Sequence, residues 1–303
     1  MNRPLFEAVP NFSEGRDVGR ILRIVAAVHD VGNVKILDLH SDPDHNRSVL
    51  TFAGGEEGVL EAAVARARAC ADEIDLAAQP GEHPRIGSLD VLPFVPLEGA
   101  TLKEAVGLAR MAGERIGSTG LPVYLYEAAA TAPHRRNLAD VRRGGYEGLA
   151  IRIKDPRWRP DFGPEELDPH KGAVAVGARR FLVAFNANLD TGDVEVARAV
   201  AREVRERDGG LPGVKALGLK VGGRAQVSMN LTDLEKTPMP VALEAVRSRA
   251  VERGASVEST ELVGLAPLEA FLQVARYYLK PRELEREHVL EAALWEPSQA
   301  DGP

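Results

Sequence analysis

The chain has 303 residues, 44% hydrophobic and 27% charged, with a formal charge of −7. That is enough apolar material for one large domain or two small ones, and its acidic balance argues against nucleic acid, which needs a basic footprint. A single cysteine, Cys70, excludes an intramolecular disulfide and any multi-cysteine metal site.

The N-terminus has no apolar signal region, and no apolar run nears the ~20 residues that cross a bilayer. The expected setting is cytoplasmic, with no membrane partner. Residues 5–9 (LFEAV) read as a short strand closed by Pro10-Asn11. Val18, Ile21, Leu22, Val25 and Val28 recur at helical spacing and predict an amphipathic helix over 17–29. Residues 34–39 (VKILDL) read as a strand, SDPDHN as a polar loop, and 48–52 as a second strand stopped by Gly54-Gly55. Val59, Ala63, Ala67, Cys70 and Ile74 mark the inner stripe of a long helix over 56–75. Residues 89–95 (LDVLPFV) close the series as a strand, so the order is β-α-β-β-α-β.

A second pass begins near Phe181, where FLVAF reads as a strand. Val196, Val200 and Val204 mark a helix ending at Gly209-Gly210. Strands at 214–219 and 225–231 are joined by Gly222-Gly223. Thr237-Pro238 reads as an N-cap and first-turn proline, opening a helix that runs to Arg253 with Gly254 as C-cap. The last strand is 257–263. The order is β-α-β-β-α-β again, with helices at 267–279 and 282–294 left over.

This repeat of topology predicts an α+β chain of two ferredoxin-like (βαββαβ) units. A doubly wound parallel sheet would need a helix between Leu39 and Ser48, where only a polar loop fits. Two insertions separate the units. The first opens with a capping box, Thr101 to Glu104, and contains a strand at 122–126. The second, 142–179, is rich in glycine, proline and charge and reads as an irregular segment placed to line a cleft.

No P-loop, GxGxxG or GxSxG element is present. Cys70 falls on a helical apolar stripe and reads as an inert core thiol. His29 suits a helix C-terminus, and His134 and His288 sit among charges as surface residues. His40, His45, His83 and His170 lie at strand ends or in loops, where sites are commonly built. The HSDPDH run (40–45) admits a metal, a substrate-binding loop or a plain hairpin. QPGEHPRIG (79–87) is a proline- and glycine-fixed loop presenting Glu82, His83 and Arg85. A histidine beside a carboxylate can move protons, and an arginine can clamp a carboxylate in a bidentate manner. The plainer reading is a loop whose polar groups bind its own backbone.

Eight blocks in order carry a family resemblance: VPNFSEGR, DHNRSV, GEHPRIGSLDVLPFVP, LPVYLYEAAA, WRPDFGP, GARRFLVAFNANL, AQVSMNLTD and ELVGLAPLEA. Together they closely resemble the glutamate formiminotransferase family, in its stand-alone form without a cyclodeaminase part. The resemblance implies transfer of a formimino group from N-formimino-L-glutamate to tetrahydrofolate in histidine degradation. It implies tetrahydrofolate as co-substrate, no metal, and a homodimer. It also implies two subdomains, 1–180 and 181–303, with a substrate groove between them.

Carried over residue by residue, the family's catalytic histidine falls on His83. Its folate-binding segment falls on Gly163, Pro164, Glu165, Glu166, Leu167, Asp168, Pro169, His170, Lys171 and Gly172. Arg47 and Arg85 are candidates for the glutamate carboxylates, Glu82 or a backbone carbonyl for orienting His83, and His40 for holding substrate or passing a proton. Where this chain has His40, the mammalian members carry an aspartate, and the folate segment here is more charged than theirs. Two alternatives stand beside this reading. One is a folate-binding protein without transfer, or a related one-carbon transferase using formylglutamate, formiminoglycine or 5-formyl-folate. The other is a metal-dependent hydrolase built on HSDPDH.

Overall fold

The computed structural model describes residues 4–43, 45–78 and 85–295. The chain divides into two compact units, Met1–Arg180 and Phe181–Pro303.

In the first unit the opening strand is broken by Val9-Pro10 into β1 (Leu5–Ala8) and β2 (Asn11–Phe12). Helix α1 (Val18–His29) begins where the Asp17 carboxylate accepts from the Arg20 N–H. A hairpin of β3 (Val34–Asp42) and β4 (Arg47–Gly55) leads into α2 (Glu56–Glu73), followed by β5 (Leu89–Pro96). Helix α3 (Leu102–Gly117) has the predicted capping box, with Thr101 and Glu104 satisfying each other's backbone. Then come β6 (Val123–Glu127), the short helices α4 (Leu138–Val141) and α5 (Gly145–Arg152), and β7 (Val174–Ala178).

The first sheet runs β3–β4–β1/β2–β5–β7–β6. Its antiparallel part places the last strand beside the first, the first beside the third and the third beside the second, which is the ferredoxin-like order. Strands β7 and β6 extend it in parallel beyond β5. One face packs on α1, α2 and α3 through Phe6, Phe52, Val59, Phe94 and Leu108. The other is covered at the β5–β7–β6 end by Val141 and Leu149, against Val91, Tyr124 and Tyr126.

The irregular insertion expected over 142–179 is therefore corrected: it includes α5 and a strand, β7, that is buried along its whole length. A parallel strand covered on both faces shows no alternation, so AVAVGA gives no period-two signal. The hairpin loop is also shorter than SDPDHN suggests, because β3 continues through Asp42 after a bulge between Ile36 and Asp38.

The second unit comprises β8 (Val183–Leu189), α6 (Val194–Val204), β9 (Val214–Val221), β10 (Arg224–Leu231), α7 (Met239–Val251) and β11 (Val257–Val263). The helices α8 (Leu268–Leu279) and α9 (Leu290–Trp295) follow. Its sheet order, β11–β8–β10–β9, is the same ferredoxin-like order. Val183, Phe185, Val200, Val227 and Val246 pack in the core between sheet and helices.

Three expectations differ here. Thr237 is not the cap of α7: its hydroxyl donates to the Pro212 carbonyl at 2.7 Å, and Pro238 occupies the cap position. Helix α6 stops at Val204, before Gly209, where Arg205 bridges to Leu211. The last predicted helix shrinks to α9 behind a single 3-10 turn, Arg286–His288. Among the described residues no helix is long and apolar enough to cross a membrane.

Candidate active site

Three of the sequence blocks converge at one end of the first sheet. Directly after β2, the Ser13 N–H donates to the Ser88 carbonyl at 2.9 Å and its hydroxyl donates to the Gly87 carbonyl at 2.8 Å. The Ser48 hydroxyl donates to the Glu14 carbonyl at 2.6 Å, and the Gly15 N–H donates to Asn46 Oδ1 at 2.9 Å. A Cβ on Gly15 would lie 2.3 Å from the Asp42 carbonyl oxygen, so only glycine lets this turn approach the hairpin. The Glu14 carboxylate is buried, accepts from the Arg16 and Asp17 N–H groups, and pairs with Arg20 at 2.6 Å. Residues 13–15, 46–48 and 87–88 are thus knitted through backbone and short side chains.

The hollow they enclose is lined by Ser13, His45, Asn46, Arg47, Arg85 and Asp90. Arg47 and Arg85, distant in sequence, share it. Burial, reinforced by the nearby Arg142 charge, lowers the Arg47 pKa, while Asp90 and Asp42 act in the opposite direction. Asp90 is 2% exposed, accepts from the Ile86 N–H at 2.9 Å, and forms a shielded ion pair with Arg142. His45 Nδ1 lies 2.5 Å from Asp42 Oδ2. Two guanidinium groups lining a small pocket, with Arg142 engaged by Asp90, suit a carboxylate ligand, since a guanidinium carries planar paired donors.

The segment predicted for folate has a fixed start and a fixed end. Just before it, Asp161 accepts from the Leu125 N–H at 2.7 Å and pairs with Arg135 at 2.6 Å, both nearly buried. The Phe162 carbonyl accepts from the Val123 N–H at 2.9 Å. Gly163, Pro164, Glu165 and Glu166 are exposed, with Glu165 3.0 Å from Arg159. Leu167 and Asp168 are half-buried, and the Asp168 carboxylate accepts from the His170 N–H at 2.8 Å. Pro169 and His170 are exposed, Lys171 is half-buried and Gly172 is buried.

At its end the segment meets the chain on both sides of 79–84. The Leu76 N–H donates to the His170 carbonyl, the Ser88 N–H to the Lys171 carbonyl and the Ala173 N–H to the Ile86 carbonyl, at 2.8–2.9 Å. A Cβ on Gly87 would sit 1.9 Å from the Ala173 carbonyl oxygen, so this seam requires glycine. His170 Nδ1 lies 2.8 Å from Asp75 Oδ1, and this hydrogen bond raises the imidazole pKa and lowers that of the carboxyl.

His83 and Glu82 lie outside the described residues, as does Asp44 of the HSDPDH run. His40 is exposed on β3, in the row His40–Val49–Asn11–Val91, and is not among the residues lining the hollow. Among the described residues no group of three or more His, Cys, Asp or Glu side chains converges as a metal would require. Cys70 is fully buried, and burial pushes its thiol up to about 11. His134 is exposed as expected, with its ring 4.9 Å from that of Trp158.

The sequence reading missed Ser13, Asn46, Asp90 and Arg142 as site residues. For Asp90 a signal existed: it is the lone carboxylate in the apolar run LDVLPFVP. For Arg142, in a stretch dense with arginines, there was none.

The comparisons agree with these blocks. The formiminotransferase domain, N-terminal subdomain, matches residues 5–179, and the formiminotransferase domain matches residues 184–293. A glutamate formimidoyltransferase of Thermoplasma acidophilum is 46% identical over 95% of this chain and 96% of its own length. One of Streptococcus pyogenes is 40% identical over 93% and 95%. The formimidoyltransferase-cyclodeaminase of Mus musculus is 40% identical over 94% of this chain, which spans 54% of that longer protein. The chain belongs to the glutamate formimidoyltransferase family.

Proposed function

We propose that the protein transfers the formimino group of N-formimino-L-glutamate to tetrahydrofolate, giving 5-formiminotetrahydrofolate and L-glutamate in histidine degradation. The observation that carries this reading is the hollow shared by Arg47 and Arg85, next to a chain that the 168–173 segment ties down at Leu76 and Ile86–Ser88. It supports assigning the two arginines to the glutamate carboxylates and the neighbouring segment, Gly163 to Gly172, to folate.

The chemistry asks for one proton shuttle. Attack of the reduced pterin nitrogen on the amidine carbon forms a C–N bond, and the bond from that carbon to the glutamate nitrogen breaks. The proton leaving the attacking nitrogen is delivered to the departing amine. A histidine performs both transfers near neutral pH, and we assign them to His83, with Glu82 orienting its ring. Holding both substrates in line supplies the remaining advantage through effective molarity. His40 stands as a substrate contact on β3, and His170 and Lys171 as contacts for the anionic tail of folate. A cytoplasmic homodimer that uses no metal completes the proposal.

Glutamate release and folate-adduct formation test it directly, with purified protein and the two substrates. Turnover that disappears in His83→Asn while folate binding stays is the expected result. Folate binding without transfer would leave a binding protein or another one-carbon donor. Turnover retained in the variant would remove His83 from the mechanism.

A further inference from the structure

Three blocks of the family resemblance, FLVAFNANL, AQVSMNLTD and ELVGLAPLEA, supply no residue to the hollow around Arg47 and Arg85. In the second unit they lie side by side. Strand β8 sends Val183, Phe185, Ala187 and Leu189 into the core, so Asn186 and Asn188 project from the opposite face. Register places Glu261, Asn186 and Ser228 in one row across β11, β8 and β10, and Ser259, Asn188 and Gln226 in the next.

These side chains form one network. Asn186 Nδ2 donates to Glu261 Oε2 at 3.2 Å, and Gln226 Nε2 donates to Asn188 Oδ1 at 2.9 Å and reaches Glu261 Oε2 at 3.5 Å. Asn188 Nδ2 donates to the Ser259 hydroxyl at 3.1 Å. Asn186 and Gln226 are only 8% and 5% exposed, whereas Glu261 is exposed. Each amide donor is turned onto a neighbour. Among the described residues Glu261 Oε1 and Asn186 Oδ1 accept no hydrogen bond, and no basic side chain pairs with Glu261.

A carboxylate fixed by two amides, with its second oxygen open, complements a planar group that presents adjacent N–H donors. Both proposed substrates contain an N–C–N unit of this kind. The two carboxylates of N-formimino-L-glutamate are already assigned to Arg47 and Arg85. The pterin of tetrahydrofolate presents its 2-amino group and N3–H on a neutral ring edge. We propose that Glu261, held in place by Asn186 and Gln226, receives the 2-amino and N3–H edge of the reduced pterin. This rests on tetrahydrofolate being the co-substrate.

The test compares tetrahydrofolate with its 2-desamino-2-methyl analogue in the full-length protein, wild type and Glu261→Gln. Wild type is expected to favour the amino form by about tenfold or more, since the contact is a hydrogen bond to a charged group. Glu261→Gln loses that preference and raises the KM for tetrahydrofolate by a similar factor, leaving the KM for N-formimino-L-glutamate within about twofold. Glu261→Asp, which keeps the charge, retains part of the preference. Unchanged discrimination in a folded Glu261→Gln protein, with an unshifted unfolding midpoint, overturns the assignment and leaves the transferase reading standing. A rise confined to the KM of N-formimino-L-glutamate overturns it too, and gives the cluster to the donor amidine. Absence of turnover and of folate binding in the wild type defeats both readings together.

Discussion

Asp90 and Arg142 form an ion pair with side-chain exposures of 2% and 15%, joining β5 to the turn after α4. The same carboxylate accepts from the Ile86 N–H, so one side chain fixes both Arg142 and the backbone after Arg85. Breaking such a pair leaves a shielded charge without its partner, which costs far more than an exposed pair yields. Asp90→Asn is expected to lower unfolding stability by about 3 kcal/mol, read by denaturant titration. Adding Arg142→Met should restore part of that loss. A variant as stable as wild type would show that the pair carries little.

Arg47 and Arg85 share a hollow, and their proposed ligand is a small dicarboxylate. Replacing either with Gln removes a charge-assisted contact. The KM for N-formimino-L-glutamate should rise about ten- to hundredfold in each, with the KM for tetrahydrofolate nearly unmoved. Steady-state kinetics with each substrate varied in turn decides it. Equal effects on both substrates would point to a general loss of the pocket instead.

The His170–Asp75 contact predicts a pH window. Hydrogen bonding to Asp75 raises the His170 pKa above its ordinary 6.5, and the same contact lowers Asp75 below its ordinary 3.8. For the histidine, the stabilisation is fully present below the unfolded pKa and is lost as pH rises through the raised folded value. For the aspartate, it is present above the unfolded pKa and is lost as pH falls through the lowered one. An NMR titration should place the His170 midpoint above 6.5, and Asp75→Asn should lower it. An identical midpoint in the variant would show that the pair does not persist in solution.

Arg66 on α2 is fully buried, with its guanidinium carbon 4.3 Å from the centre of the Phe12 ring and, among the described residues, no hydrogen-bond partner for any of its three nitrogens. Burial pulls its pKa down to about 10. The ring contact is worth about 2 kcal/mol when desolvated, less than the several kcal/mol that burying an ion costs. Arg66→Met is therefore expected to stabilise the protein by about 1 kcal/mol or more, seen as a higher Tm. A lower Tm would mean that the ring contact outweighs the burial.

Much of this was legible in the residues. The βαββαβ order appears twice because amphipathic helices such as α1 and alternating strands such as β10 each bury one face, and a one-sided pattern leaves a period in the sequence. Strand β7 left none, since it is covered on both sides. The Thr101 cap was readable from local spacing, whereas Thr237 carried the right residue type and its hydroxyl was taken by Pro212 instead. Local propensity proposes a cap, and a competing long-range acceptor can withdraw it.

The sequence by itself determined the family and the two-unit topology, because periodicity and ordered motifs are properties of neighbouring residues. Only the tertiary structure decided that Arg47 and Arg85 share one hollow, that Asp90 and Arg142 support it, and that Asn186, Gln226 and Glu261 form a single network. Those relationships depend on strand register and on close backbone approach at Gly15 and Gly87. Register is fixed by burial of whole faces, and a pair such as Asp90 and Arg142, 52 positions apart, meets only once those faces are buried.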